Sequence, residues 1–285
     1  MASARLGCIE GRAVLINTSL TGYVDVEKFS GGKLSSDPMV CLARWSEVCE
    51  FAANLGQTDE LSAIALDANK LECPVPRPRQ IFAIGINYKA HAAEMNNPLP
   101  KEPLVFTKFQ SSLNSPNGAL TLVGAECDFE AELVAVIAKG GRNIPASEAW
   151  DHVAGLCVGQ DISDRALQYA NSPPQFSLGK SRAGFTPFGP WITDVASLSS
   201  RGNLKMTCRV SGEVMQQTHT DDMIFDIPEI IGYLSTICEL FSGDVIYTGT
   251  PSGVGKGRTP QRFLRSGDVI ETTIQGLGTL VNNCI

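Results

Sequence analysis

The chain has 285 residues, enough for one large domain or one domain with a small appendage, and for a sizeable buried core either way. Hydrophobic residues make up 43% and charged residues 19%, which excludes a disordered chain or a coiled coil. Lys plus Arg number 23 against 30 Asp plus Glu, and a net charge of −7 supplies no basic patch for nucleic acid or an anionic membrane. On the global sum it also disfavours an anionic small substrate.

Residues 1–75 read as a small α+β appendage. Leu6–Ile9 and Ala13–Asn17 flank Glu10-Gly11-Arg12, a hairpin pattern. Asp37-Pro38 starts a helix that carries Cys41, Trp45, Val48, Ala52 and Leu55 at helical spacing and stops at Gly56. Pro74-Val-Pro-Arg-Pro78 is a stiff, extended linker, and residues 79–285 form a second domain. In that domain Ile81–Ile84 predicts a buried strand, Tyr88–Met95 a short helix and Leu104–Lys108 another strand. Phe129–Ala138 is a long strand ended by Gly140-Gly141. Ala146–Val153 predicts a helix and Leu156–Ile162 a strand. Leu204–Val210 and Val214–His219 flank Ser211-Gly212-Glu213, a hairpin. Ile227–Leu240 is a helix with Asp226 as its N-cap. Val245–Thr248 is a strand running into a Gly-rich loop. Val269–Ile274 and Thr279–Asn282 form a closing hairpin about Gly276-Leu-Gly278. Strands outnumber helices and several are joined as hairpins, so the fold class is a β-rich α+β domain.

The nine cysteines form no CxxC pair and lie in apolar contexts. With no signal peptide at the N-terminus they read as reduced, buried thiols of a cytoplasmic protein. The longest aliphatic runs, such as Leu133–Ala138, are too short to span a bilayer.

The chemistry concentrates in a few segments. Glu130 and Glu132 stand two apart on a strand and so project from one face, which continues with Val134 and Val136. Adjacent carboxylates on an apolar strand call for a raised pKa or a bound cation, and oxygen ligands suit Mg²⁺, Mn²⁺ or Ca²⁺. A strand end with both side chains in water is the bland alternative. Asp161 ends another apolar strand, and Arg165 and Gln168 follow it three apart on one helical face. Arg165 could equally be a surface partner of Asp164 or Asp161. His91 and Glu94 also sit three apart on a helix. A carboxylate on one ring nitrogen makes the other more basic, as activation of water requires, although an exposed His–Glu pair has the same pattern. His152 and His219 have no such partner and read as structural. Lys180 lies in a loop between Pro173-Pro174 and Gly184. Thr248-Gly-Thr-Pro-Ser-Gly-Val-Gly255 lacks the order of a phosphate loop, because Lys256 is followed by Gly257. It is either a ligand-approaching loop presenting Thr250 or a tight turn.

In order, Gly85-Ile-Asn-Tyr-Lys-Ala-His91-Ala-Ala-Glu94, Asp128-Phe-Glu130-Ala-Glu132, Asp161-Ile-Ser-Asp-Arg165-Ala-Leu-Gln168, Lys180-Ser181, Thr248–Gly255 and Gly267-Asp268 resemble the fumarylacetoacetate hydrolase family from about Arg79 onward. The resemblance implies a mixed β-roll catalytic domain, a homodimer and a divalent metal, Mg²⁺ or Mn²⁺, held by Glu130, Glu132 and Asp161. It implies a water-activating dyad of His91 and Glu94 on a segment that can close as a lid, with Lys180 as a further catalytic residue. Arg165, Gln168, Thr250 and Tyr88 would bind a small 2-oxo acid. One departure stands out: Arg182-Ala-Gly-Phe185 follows Lys180-Ser181 where many members carry an F-D-T-F-like run. The expected reaction is cleavage of the C3–C4 bond of a 2,4-diketo acid, releasing pyruvate. A sugar-derived diketo acid such as 2,4-diketo-3-deoxyrhamnonate or its fuconate relative is favoured by Arg182 beside the site. Oxaloacetate decarboxylation or dienoate isomerisation on the same metal–enolate site is the alternative, and a catalytically dead binding protein is disfavoured by the complete set of site residues.

Overall fold

The strand Ala131–Ile137 is buried along its whole length and lies at the middle of the molecule. In the computed structural model, which describes residues 4–55 and 63–285, it belongs to a large mixed sheet. On one side it pairs antiparallel with Val153–Gln160, and on the other with Val245–Tyr247. Val245–Tyr247 runs parallel to Ile81–Gly85, and Leu104–Thr107 closes that edge.

Alternation divides the residues of the central strand between two cores. Leu133, Ala135 and Ile137 pack with Met206, Cys208, Ile270 and Leu280 of a four-stranded antiparallel sheet, ordered Glu213–His219, Lys205–Val210, Val269–Ile274 and Gly278–Asn283. Val134 and Val136 face the opposite core, with Tyr247, Phe188 and the helices Pro38–Ala43 and Trp45–Asn54. A strand covered on both faces reads as a continuous apolar run, which is why its sequence shows so little alternation.

The expected N-terminal hairpin forms as Arg5–Ile9 and Arg12–Ile16. Its first strand pairs with Thr186–Asp194, so the N-terminal residues extend the large sheet. The proline-rich segment interrupts the chain but not the sheet, and Pro74, Val75 and Pro78 are buried. The helix that begins at Pro38, capped by the Asp37 side chain, breaks at Arg44 and restarts at Trp45. Its expected end at Gly56 lies outside the described residues. Ala146–His152 winds as a 3₁₀ helix. Ile227–Ile237 is α-helical, with Asp226 and Glu229 exchanging the reciprocal bonds of a capping box.

Thr186–Asp194 is a long buried strand that periodicity missed. Pro187, Gly189 and Pro190 disqualify it by composition, since proline cannot donate to a ladder. The sheet accommodates them where the register with Val153–Gln160 shifts between Leu156 and Val158. All nine cysteines are free, and seven are buried. Among the described residues no helix is long and apolar enough to cross a membrane.

Candidate active site

Two strand ends, the short helices Lys89–Glu94 and Arg165–Gln168 and the Gly-rich loop converge on one site. Glu130 precedes the central strand and Glu132 lies in it, while Asp161 follows the neighbouring strand. Their antiparallel pairing brings one oxygen from each of Glu130, Glu132 and Asp161 to within 4.8 Å of one another, and all three residues are buried. The expected triad is therefore assembled, and water does not solvate it.

Buried carboxylates need partners. Lys180 Nζ donates to Glu130 Oε2 at 2.6 Å and to Asp161 Oδ2 at 2.7 Å. Arg165 Nη2 donates to Glu130 Oε1 at 2.6 Å, and Arg165 Nη1 to Gln168 Oε1 at 2.9 Å. Arg165 is thus a buried component of the site, not a surface partner of Asp164. Asp164 instead caps the helix Arg165–Gln168 and accepts from Arg182.

Two residues that sequence reasoning missed complete the charge balance. Lys108 is buried, and its Nζ donates to Asp161 Oδ1 and to the carbonyl oxygen of Lys180. Asp128 accepts from Arg165 Nε at 2.9 Å and from the Gly255 N–H at 2.7 Å. Lys108 ends an apolar strand with no local charge pattern to mark it. Asp128 was visible only as the first letter of the carboxylate motif.

Burial works against every charge here, but the outcome differs. At Glu130, Lys180 and Arg165 overcome desolvation and hold the carboxyl down to about 2. At Glu132, desolvation is reinforced by Asp161 and Glu130 and pushes the carboxyl well above its usual range, against the pull of Lys180 and the Gly249 N–H. The lysines and arginine thus leave Glu132 uncompensated. An all-oxygen donor set with one uncompensated buried acid fits a hard divalent cation. The triad can hold a metal ion.

The Gly-rich loop holds acids through its backbone. The Gly249 N–H donates to Glu132 Oε2 at 2.7 Å, and the Gly253 N–H to Glu94 Oε1 at 2.8 Å. Gly253 has φ of 102°, and a Cβ there would stand 2.1 Å from the Met215 carbonyl oxygen. Positive φ and close backbone approach both require glycine. The other Glu94 oxygen accepts from His91 Nδ1 at 2.9 Å. The dyad thus exists, and Nε2 of His91 makes no hydrogen bond with any described residue. Asn87 anchors the dyad segment by donating to the Thr248 carbonyl oxygen at 2.7 Å. Ile86 lies beside it at φ 54°, a strained conformation for a β-branched residue.

A cavity of about 220 Å³ opens over these groups, walled by His91, Glu130, Arg165, Gln168, Lys180 and Thr250 among others. Gln216 positions the Thr250 hydroxyl, donating to Thr250 Oγ1 at 2.8 Å. Tyr88, expected to bind substrate, lies instead in the core, fully buried, with its hydroxyl unpartnered. Arg182 is likewise absent from the cavity wall; its guanidinium turns to Asp164. His152 and His219 are structural, on the Lys139 carbonyl and the Asn203 side chain respectively.

With this geometry in place, the fold and site define an enzyme built around a buried acid cluster and a His–Glu dyad. The family model described as "Fumarylacetoacetate (FAA) hydrolase C-terminal" matches residues 80–285, and the chain belongs to the fumarylacetoacetate hydrolase family. It is 42% identical over 214 residues to the mitochondrial oxaloacetate tautomerase FAHD2A of Bos taurus, spanning 74% of this chain and 68% of that one. It is 40% identical over 255 residues to the oxaloacetate tautomerase YisK of Bacillus subtilis (strain 168), spanning 85% and 84%. Among solved structures, a putative HpcE protein from Mycobacterium smegmatis superposes with a TM-score of 0.90 at 42% identity, covering 99% of each chain. A maleylpyruvate hydrolase from Sphingobium sp. SYK-6, solved with manganese(II) and pyruvate, superposes with a TM-score of 0.79 at 25% identity, covering 99% of this chain and 98% of that one.

Proposed function

We propose that the protein is a metal-dependent tautomerase of a small 2-oxo acid of the oxaloacetate type, interconverting its enol and keto forms. The observation that carries this reading is the placement of one oriented base and one ammonium around a single small cavity. The similarity to two oxaloacetate tautomerases at 40–42% identity supports it over hydrolysis. The volume, about 220 Å³, lies below the roughly 300–1,000 Å³ of drug-sized sites and suits a small metabolite.

The chain's own groups divide the work. His91 Nε2 takes a proton from C3 of the keto form, and Glu94 on Nδ1 balances the charge that appears on the ring. Lys180 Nζ spends two of its three protons on Glu130 and Asp161 and has one left for the oxygen on which negative charge develops. That oxygen takes its proton from water, and the hydroxide left behind is neutralised by the proton that His91 carries. In the reverse direction His91 returns the proton to C3. Gln168 and Thr250 orient the substrate from the walls. Glu130, Glu132 and Asp161 would hold Mg²⁺ or Mn²⁺, which when bound supplies a Lewis acid for the 2-oxo acid's oxygens.

Hydrolysis of a 2,4-diketo acid needs a water between His91 and a C4 carbonyl, and the solved maleylpyruvate hydrolase keeps that chemistry within the family. Oxaloacetate decarboxylation and dienoate isomerisation pass through the same enolate. The lean towards a sugar-derived acid loses its local support, because Arg182 does not reach the cavity. A homodimer in a reducing compartment completes the proposal.

The test is the decay of enol-oxaloacetate absorbance with magnesium or manganese. Acceleration over the spontaneous rate, abolished by chelator and by His91→Ala, is the expected result. No acceleration, with pyruvate released from a 2,4-diketo acid instead, would replace the tautomerase with a hydrolase.

A further inference from the structure

Three cations of the site already have their charge paired with carboxylates of the protein. Lys108 is paired with Asp161, Lys180 with Glu130 and Asp161, and Arg165 with Asp128 and Glu130. None has a free charge for a second substrate carboxylate. Lys256 differs from them. It is half-buried, and among the described residues its ammonium makes no ion pair. Its Nζ stands 3.1 Å from the centroid of the Tyr169 ring. Tyr169 is part of the cavity wall beside Arg165 and Gln168.

The backbone fixes Lys256 in this place. Its N–H donates to Asp128 Oδ2 at 3.1 Å, the oxygen that also accepts from Arg165 Nε. At the next residue, Gly257, a Cβ would stand 2.7 Å from Glu94 Cδ, so the lysine is tethered between the dyad and the arginine. A second cavity, lined by Glu94, Met95 and Lys256, adjoins the first, and Met95 lines both. Burial and then the repulsion of Arg165 lower the affinity of Lys256 for its proton, against the weaker attraction of Glu126 and Asp128. An arriving anion would relieve that cost.

We propose that Lys256 is the specificity residue of the site, binding the distal carboxylate of a dicarboxylic 2-oxo acid and parked on Tyr169 until it arrives. A ring face holds an ammonium by its quadrupole without neutralising it, so the charge stays available to a carboxylate. The assignment rests on the tautomerase reading and narrows its substrates to diacids.

The experiment separates binding from turnover. Calorimetry on the magnesium-loaded protein compares malate with 2-hydroxybutanoate, which have the same chain length but end in a carboxylate and a methyl group respectively. The wild type should prefer malate. Lys256→Met should cut that preference by about tenfold or more, and Lys256→Arg should restore most of it. The KM for oxaloacetate should rise in Lys256→Met far more than kcat falls. A malate preference in Lys256→Met within about twofold of the wild type would overturn the assignment, even if oxaloacetate is turned over. Conversely, a Lys256-dependent malate preference without any tautomerisation would leave the assignment standing and remove the tautomerase reading.

Discussion

Glu94 accepts from the Gly253 N–H at 2.8 Å across 159 positions of chain, while its second oxygen orients His91. One carboxylate therefore ties the short helix Lys89–Glu94 to the Gly-rich loop and sets the tautomer of the base. The dyad is in register only while this loop is seated.

Loss of the base should affect rate more than architecture. In His91→Ala, kcat for enol-oxaloacetate should fall by about 10²–10⁴-fold, the usual contribution of a positioned general base. Metal affinity, read by calorimetry, should change little, because His91 makes no hydrogen bond to the triad. A matching loss of metal binding would show that the ring is part of the ion site.

The loop makes a separable contribution. Gly253→Ala places a Cβ against the Met215 carbonyl at positive φ and should cost about 1–3 kcal/mol. At roughly 2–4 °C per kcal/mol for a chain of this size, Tm should drop by several degrees. The variant should also lose kcat, because Glu94 loses its second anchor. Thermal melts together with steady-state rates check both effects.

Glu132 sets a pH dependence with a defined sign. Its folded-state affinity for a proton is raised, chiefly by burial and then by Asp161 and Glu130. The folded protein therefore holds a proton that the unfolded chain releases above about 4.5, and metal-free stability is lost as pH rises from there. Glu130 runs the other way: held down to about 2, it contributes stability that disappears as pH falls from about 4.5 towards 2. The stabilisation given by added Mg²⁺ should accordingly grow with pH, since the ion displaces the Glu132 proton. In Glu132→Gln that growth should vanish. Melting curves with and without chelator at several pH values decide it.

Lys108 should behave as a structural charge. Lys108→Met leaves Asp161 with one cationic partner in a buried setting, a change that costs about 3–5 kcal/mol when a buried pair is broken. Denaturant unfolding should show that loss. An unchanged unfolding midpoint would mean that Lys180 alone satisfies Asp161.

The site was legible in the sequence where chemistry and spacing coincide. Glu130, Glu132 and Asp161 meet because two antiparallel strands carry them, and both strands are apolar runs. His91 and Glu94 meet because the helical rise places residues three apart side by side. Lys108 and Asp128 were not legible as site residues: each acts on a partner more than thirty positions away, Lys108 has no charge pattern beside it, and Asp128 showed only as the first letter of the carboxylate motif. Tyr88 fell within the right motif but faces the core. The break at Arg44 was hidden because Cys41, Trp45, Val48 and Ala52 keep a helical period across it, while Arg44 itself leaves the helical region, with φ −119° and ψ 37°. The missed strand Thr186–Asp194 shows the converse case, in which a bulge in the partner's register admits prolines that composition forbids.

The pairing of Glu132 with Gly159 carries a further consequence. A Cβ at position 159 would stand 2.5 Å from Val134 Cγ2 and 2.8 Å from the Tyr247 ring, so no side chain fits opposite the acid. A slip of one residue would put Leu133 over that gap and turn Glu132 into the apolar core shared with the four-stranded sheet. Glycine here acts as a keyway that admits the central strand in one alignment only. Insertions or deletions in Ala131–Ile137 should therefore abolish folding and chemistry together, whereas lengthening a surface turn elsewhere would leave both intact.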